Sequence, residues 1–298
     1  MKISLLSALM ASLFIATPVA AQTEAVDARL QRIKETRVFV AGYREQSVPF
    51  SYLNDGKPTG YGVEITERVL AALRQKLNDP SIKIRWNAVT LSTRIPLVKT
   101  NTIDINCATD THTRARGEDI NFSTTFYITR TVIATPKSLN IKLFRELQGK
   151  RLAVPAGTTV EAKLRDTMAT NNWNITVIPA RNTNAALQLM LQGKADAFGN
   201  AESLVAGEMF RLPDFDKYEL VTAGNYQEAF ACMLPKGDAN LKKLVDDVLI
   251  GMMQSGEMEA LFNKWFNQPI PPFGKSLNLP LNDATRALFK APNDTPLE

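Results

Sequence analysis

The chain of 298 residues contains one histidine and only two cysteines. It has no motif with metal-ligand spacing, and we expect neither a metal ion nor another cofactor. The formal net charge is +5, but the basic residues are scattered along the chain. Because nucleic-acid binding needs a continuous basic track, this pattern argues against a nucleic-acid partner. Beyond the N-terminus we find no long apolar stretch of the kind that spans a membrane.

The N-terminus has the three parts of a secretory signal. A positive charge at Lys2 precedes an apolar run over residues 3–15, and small residues follow as far as Ala21. Such a run is too short to span a bilayer, and signals of this kind are removed after export. We therefore expect a signal peptide over residues 1–21, cleavage after Ala21 and a soluble exported protein. No cysteine lies near the cut, so we do not expect a lipid anchor.

The mature chain is long enough to suit two domains better than one. Its two cysteines, Cys107 and Cys232, lie far apart in the sequence. In an oxidising compartment such a pair is a candidate disulfide. Two separately buried thiols are the alternative, and the residues alone leave it open.

Short strand-like runs alternate with helix-like runs along the chain. The predicted strands are at 37–41, 82–86, 103–107, 151–154, 175–178, 195–198 and 229–234. The predicted helices are at 63–73, 94–99, 184–192, 241–252, 257–266 and 283–290, and a further helix starts at residue 160. This alternation predicts an α/β fold with helical crossovers. Residues 97–105 and 189–197 share a helix-turn-strand pattern, which is consistent with two lobes of one design.

Three arginines stand beside stretches rich in hydroxyl groups: Arg44, Arg94 and Arg116. Arginine offers a rigid fork of donors that matches a carboxylate, and it stays charged at any relevant pH. If the three side chains converge on one cleft, they form a receptor for a small ligand with two negative groups. An arginine on a surface is otherwise an ordinary solvated charge.

Several ordered motifs resemble the periplasmic substrate-binding proteins of polar amino-acid ABC importers, particularly members that bind acidic amino acids. The motifs that carry the resemblance are those at 44–52, 94–97, 122–123, 157–159, 228–234, 264–266 and 287–290. They run in order through nearly the whole mature chain. The resemblance implies a solute-binding protein and no catalytic residues, with a small acidic ligand and an ABC permease as partners. A sensor that docks on a receptor instead of an importer is an alternative.

The resemblance also implies a type II-like fold of two α/β lobes, each a central sheet flanked by helices, joined by two hinge strands. Lobe 1 would comprise residues 23–127 with 227–298, and lobe 2 residues 128–226. The strands of Cys107 and Cys232 would be neighbours in lobe 1, which favours the disulfide. We expect a periplasmic monomer that closes on its ligand.

Particular residues match the family positions that hold the α-carboxylate of the ligand. Thr111 and Arg116 match a hydroxyl and an arginine five residues apart, and Thr109 matches a serine just before them. In the second lobe, Thr158 or Thr159 matches the donor to the same carboxylate. These two threonines precede a predicted helix, whose N-terminal amides favour an anion.

Arg44 and Arg94 match the arginines that accept an acidic side chain. Thr183 stands at a ligand-binding position that relatives fill with histidine. The resemblance therefore implies two carboxylate subsites, one for each end of a glutamate-like or aspartate-like ligand.

One position departs from the family pattern. Where relatives that bind glutamate carry an aspartate for the ammonium group, this chain has Ala201. A methyl group cannot balance a buried ammonium, so we expect Glu202 or Asn200 to take over, or the ligand to have no amino group. A non-amino dicarboxylate or related organic acid is thus one alternative. A periplasmic dehydratase of cyclic acids on the same fold, with Glu202 as general acid, is another.

Overall fold

The protein is an α/β structure on one eight-stranded mixed sheet, described here for residues 28–297 by a computed structural model. The strands are β1 (Val38–Tyr43), β2 (Gln46–Ser47), β3 (Ser51–Asn54), β4 (Lys57–Thr59), β5 (Lys83–Ala88), β6 (Ile105–Asn106), β7 (Asn121–Pro136), β8 (Arg151–Pro155), β9 (Thr176–Ala180), β10 (Ala197–Ala201) and β11 (Tyr218–Leu234). The helices are α1 (Ala28–Thr36), α2 (Tyr61–Leu77), α3 (Arg94–Lys99), α4 (Arg114–Gly117), α5 (Thr159–Thr170), α6 (Thr183–Leu191), α7 (Glu202–Met209), α8 (Ala239–Ser255), α9 (Glu257–Phe266) and α10 (Asp283–Lys290). The signal peptide expected over residues 1–21 lies outside the described residues.

Two parallel half-sheets flank a long antiparallel pair of strands. The strand order is β5-β1-β6-β11-β7-β10-β8-β9, and β2, β3 and β4 form a separate small sheet. In one half β1 pairs in parallel with β5 and β6; in the other β8 pairs in parallel with β9 and β10. β7 and β11 run antiparallel through both halves, and their register shifts between Thr222 and Gln227. The chain therefore crosses twice from one half to the other.

Polar side chains fix where the helices near this crossing begin. The Thr158 hydroxyl accepts a hydrogen bond from the Glu161 amide at 3.1 Å at the start of α5. At the start of α6, the Asn182 side chain accepts one from the Ala185 amide at 2.8 Å. Amides in the first turn of a helix have no partner within the helix, so these caps stabilise both N-termini.

Each half has its own hydrophobic core. In the half built on β5, β1 and β6, the Phe50 ring packs edge to face on Tyr61, Tyr127, Phe230 and Phe266. In the other half, α5 covers one sheet face and α6 and α7 cover the other. Large buried rings supply much of the stabilising apolar area of a core. The two cores are joined mainly through β7 and β11.

The predicted elements agree unevenly with this fold. The helix predicted at 283–290 has those bounds in the structure, and the helix predicted at 63–73 extends to Tyr61–Leu77. β7 was not predicted, and only the last third of β11 was, at 229–234. Among the described residues, no helix is both long and apolar enough to cross a membrane.

Candidate functional site

A polar cleft lies between the two halves and opens to solvent on one side. Its cavity volume is only about 20 Å³, so the two walls nearly meet in this structure. Its lining residues are Arg44, Ser47, Leu91, Arg94, Thr109, Thr111, Arg116, Thr158, Thr159, Val160, Thr183, Asn200, Leu204, Glu228 and Phe230. Eight of the nine ligand-binding residues predicted from the sequence belong to this set, and Glu202 does not. Their side chains come from both halves of the sheet, so the tertiary fold brings together residues distant in sequence.

Arg94 is the most deeply buried of the arginines, with 2% of the residue exposed. Its Nε lies 2.8 Å from Oδ1 of the fully buried Asp110, although the two atoms are not aligned as a hydrogen bond. We regard this contact as an ion pair by distance alone. Its Nη1 donates to the Leu91 carbonyl, and the Asn106 amide donates to the other Asp110 oxygen. Arg94 is thus already paired before any ligand arrives.

Arg44 follows β1 and has a different environment. It is 7% exposed, and its buried Nη1 has no hydrogen-bond partner among the described residues. Burial, and secondarily the neighbouring Arg94, lower the pKa of Arg44 to about 10, while Asp110 opposes the shift. The group therefore remains charged at neutral pH. A buried guanidinium with an unused donor is suited to receive an anionic acceptor.

Arg116 lies in the short helix α4, beside two threonine hydroxyls. Its Nη1 donates to the Thr111 carbonyl at 2.9 Å, which fixes one side of the guanidinium, and the residue lines the cleft. Burial and then Arg94 lower the pKa of Arg116. Thr109 and Thr111 are both buried in the cleft wall. This arrangement of a guanidinium and hydroxyls can bind a carboxylate.

The opposite wall supplies further hydroxyl groups. Thr158 caps α5 and also donates to the Pro155 carbonyl, so its hydroxyl is engaged in local structure. Thr159, the first residue of α5, reaches across the cleft, where its hydroxyl lies 3.1 Å from that of Thr111. Thr183 accepts a hydrogen bond at 2.7 Å from the side chain of Asn200, the residue named with Glu202 as a candidate for the ammonium group. The two walls are therefore close together in this structure.

Glu228, in β11, is a cleft residue that the sequence reasoning missed. It is 2% exposed, and its Oε1 accepts hydrogen bonds from the hydroxyls of Thr159 and, at 3.3 Å, Thr111. Burial raises the pKa of Glu228, against the effect of the Thr159 hydrogen bond and the charge of Arg116. No sequence pattern indicated its role, because it comes just before the strand predicted at 229–234, in a motif that reads as structural. It is the acidic residue of the cleft lining.

The structure places Glu202 away from the cleft. Its carboxylate forms two hydrogen bonds with the Arg130 guanidinium, at 2.6 and 3.0 Å. Ala201 is fully buried in the hydrophobic core, whereas Asn200 lines the cleft. The Asn200 side chain also accepts from the Ala201 amide at 2.8 Å, so its oxygen is occupied. The expectation that Glu202 contacts a ligand therefore disagrees with this geometry.

Two further contacts hold the walls of the cleft together. The Asn182 side chain donates to the Gln46 side chain at 2.9 Å. Gly207, in α7, lies against the backbone of Val48, and an added Cβ would be 2.0 Å from the Val48 carbonyl oxygen. Only glycine permits this approach, because 2.0 Å is far inside any van der Waals contact.

Cys107 and Cys232 form a disulfide, with their Cα atoms 4.2 Å apart. The bond links the end of β6 to β11, close to the cleft wall that carries Thr109 and Thr111. Of the two interpretations that the sequence left open, the disulfide is confirmed. Within residues 28–297, no group of three or more acidic, histidine or cysteine side chains is placed to hold a metal ion.

Residues 39–268 match the family described as "Bacterial extracellular solute-binding proteins, family 3". The chain is 36% identical over 297 residues to the L-glutamate/L-aspartate-binding protein of Pseudomonas aeruginosa, covering 99% of this chain and 98% of that protein. It is also 36% identical to the glutamate/aspartate import solute-binding protein of Escherichia coli, covering 98% and 95% of the two chains. Both relatives are binding proteins by name.

Solved structures show the same two-lobed fold. A substrate-binding protein of an ABC uptake transporter from Streptococcus pneumoniae with bound histidine has a TM-score of 0.70 at 20% identity, covering 80% of this chain and 96% of that one. The ancestral amino acid-binding protein AncCDT-1, a precursor of cyclohexadienyl dehydratase, has a TM-score of 0.68 at 23% identity, covering 80% and 98%. At these identities the likeness concerns the fold alone.

Proposed function

The chain belongs to the bacterial extracellular solute-binding proteins of family 3, and from that premise we propose that it captures an acidic amino acid. The ligand, glutamate or aspartate in kind, is held between lobe 1 (23–127 with 227–298) and lobe 2 (128–226) and delivered to an ABC permease. The mature protein acts in the periplasm, as a monomer cut after Ala21, by binding and not by catalysis. The identity to relatives named for glutamate and aspartate supports this proposal.

The observation that carries the proposal is the buried Nη1 of Arg44, which has no hydrogen-bond partner within residues 28–297. A cation that is removed from water without a matching acceptor is costly. A ligand carboxylate would supply both the charge and the acceptors. Arg94 stands beside it but is already paired with Asp110. We therefore assign the distal carboxylate of the ligand mainly to Arg44, with Arg94 contributing through its charge.

The α-carboxylate goes to the other end of the cleft. Arg116 and Thr111 bind it from lobe 1, and Thr159 with the amides of the α5 N-terminus binds it from lobe 2. Each charge-assisted hydrogen bond contributes roughly 1.5 to 3 kcal/mol, so a handful supports about micromolar affinity or better. Because the ligand contacts both lobes only when they are closed, it shifts the population towards the closed form.

A non-amino dicarboxylate is the second candidate ligand, since an alanine stands where relatives carry the aspartate for an ammonium group. Both candidates share the two carboxylates, so both depend on the same arginines. A dehydratase would need a proton donor in the cleft. Glu202 is paired with Arg130, and Glu228 is the carboxyl group that lines the cleft. Incubation with candidate cyclic acids and analysis of the products separates turnover from binding.

A thermal-shift screen of the mature protein tests the proposal. L-glutamate and L-aspartate should raise the melting temperature, because a ligand that binds only the folded state stabilises it. Arginine, glutamine and histidine should not. A melting temperature that responds only to neutral or cationic solutes would show that the acidic-ligand proposal is wrong.

Two variants assign the carboxylate subsites. Arg116→Ala should abolish binding of every acidic ligand, whereas Arg44→Met should weaken L-glutamate much more than L-alanine, which has no distal carboxylate. Arg286→Ala, which removes an exposed arginine on α10, is the matched control and should leave affinity unchanged. Equal losses for L-glutamate and L-alanine in Arg44→Met would contradict the assigned role.

A further inference from the structure

The cleft contains one carboxylate that the proposed function leaves unused. Glu228 is 2% exposed, and both of its hydrogen-bond donors are neutral hydroxyls, those of Thr111 and Thr159. Among residues 28–297 it forms no ion pair. A buried carboxylate is normally matched by a cation, so this environment is incomplete.

The charged groups that face Glu228 are few. Arg116 on α4 and Lys163 on α5 act on it through space, and both favour its ionised form. They do not overcome burial, which raises the pKa of Glu228 overall. A positive group that entered the cleft and touched the carboxylate would remove this penalty.

Glu228 lies where the ammonium group of a bound α-amino acid is expected, next to the groups that bind its α-carboxylate. Its two hydroxyl partners, Thr111 and Thr159, are the groups assigned above to the α-carboxylate. In an α-amino acid the ammonium and the carboxylate are attached to the same carbon, so their binding groups must be neighbours. Asn200 offers no charge, and Glu202 is held by Arg130 outside the cleft.

The net charge of the cleft also favours an acidic amino acid as the ligand. Among the side chains that line the cleft, the positive charges of Arg44, Arg94 and Arg116 are set against the carboxylate of Glu228 and, behind Arg94, that of Asp110, which leaves one net positive charge; Lys163 acts from outside the lining. Glutamate or aspartate, with two carboxylates and one ammonium, has one net negative charge and neutralises it. A dicarboxylate without an amino group has two negative charges, so one negative charge would remain in excess.

We propose that Glu228 receives the ammonium group of the ligand, in place of the aspartate that Ala201 replaces, and so selects an acidic amino acid over the corresponding dicarboxylate. This inference rests on the proposed function, because it takes the two carboxylate subsites as given. The other cleft residues would bind an acidic amino acid and a plain dicarboxylate alike, and Glu228 would discriminate between them.

Titration calorimetry with the mature protein tests the assignment. The probes are L-glutamate and glutarate, which differ only in the amino group, with L-aspartate and succinate as a second pair. The wild type should prefer the amino acid. Glu228→Gln should weaken L-glutamate by about 10- to 150-fold, the range of one charge-assisted hydrogen bond, and leave glutarate unchanged or tighter. Glu228→Asp should restore part of the preference, because it keeps the charge.

Glu202→Gln is the matched control, since it neutralises the nearby carboxylate that does not face the cleft, and its selectivity should equal that of the wild type. Circular dichroism and the melting temperature of each ligand-free variant report folding, and a merely structural role for Glu228 would not change the ratio of the two affinities. Equal weakening of L-glutamate and glutarate in Glu228→Gln, or a wild type that prefers glutarate, would overturn this inference but keep the acidic ligand. A wild type that binds neither would refute the proposed function itself.

Discussion

Removal of the Arg94 side chain should destabilise the protein far more than an ordinary surface arginine would. Arg94 and Asp110 are 2% and 0% exposed at the side chain, with Nε and Oδ1 2.8 Å apart. In Arg94→Met the volume is largely kept, but the Asp110 side chain loses its paired cation and keeps the hydrogen bond from the Asn106 amide. Breaking a buried ion pair on one side costs about 3–5 kcal/mol. That is a large part of the roughly 5–15 kcal/mol that stabilises a typical domain.

Urea denaturation of the ligand-free protein measures this cost as a shift of the midpoint at constant slope. Lys243→Met is the control, because its ion pair with Asp247 is exposed and should be worth at most about 1 kcal/mol. The double variant Arg94→Met/Asp110→Asn should recover part of the loss, since it removes the buried carboxylate that Arg94 paired with, while Arg44 and Arg116 keep their charges. If Arg94→Met costs no more than Lys243→Met, the buried pair does not stabilise the fold as argued.

The same pair has a consequence for pH. Burial raises the pKa of Asp110 even though Arg94 opposes the shift. Without Arg94 the carboxyl can escape the penalty by binding a proton. The loss in Arg94→Met should therefore be smaller in acid and grow as the pH rises through the pKa of Asp110. A loss that is independent of pH would contradict this explanation.

Three further predictions concern other parts of the molecule. Replacing both Cys107 and Cys232, 125 residues apart, with alanine should lower the free energy of unfolding by about 2–5 kcal/mol in urea, and no loss would contradict it. Gly207→Ala should weaken L-glutamate binding in calorimetry by about 5- to 150-fold, the equivalent of 1–3 kcal/mol of overpacking, whereas Gly251→Ala, with open space around it, should not. Because burial raises the pKa of Glu228 above its ordinary 4.5, the stability that it contributes at low pH is lost as the pH rises through that pKa. The ammonium group of bound L-glutamate would pair with the ionised Glu228 and offset this loss. The rise in melting temperature that L-glutamate causes should therefore grow over that pH range, and a rise that is independent of pH would argue against the role of Glu228.

The local sequence pattern was sufficient to predict some of the short helices. The helix predicted to start at residue 160 is α5, which begins at Thr159, and its threonine cap is visible in the sequence. The helix of residues 283–290 was also predicted with its observed bounds. Helices are stabilised by contacts three or four residues apart, so their signal lies within a short window.

The long strands β7 and β11 were the main omission. Their residues pair with each other at separations of about a hundred positions, as in Glu228 with Thr129. No local period reports such a pairing, because each strand becomes stable only beside the other. The small sheet of β2, β3 and β4 was missed as well, since its strands are two to four residues long.

The sequence by itself determined the α/β alternation, the export signal expected at the N-terminus and the residue types able to bind two carboxylates. Only the tertiary structure decided how their charges are matched. Arg94 is paired with Asp110, and Arg44 has a buried donor without a partner in the described part of the chain. Glu202 is held by Arg130, and Glu228 lines the cleft. The physical reason is that the state of a charge depends on its burial and on its neighbours within a few ångströms. Those neighbours come from distant parts of the chain and are fixed only when the two halves of the sheet are joined.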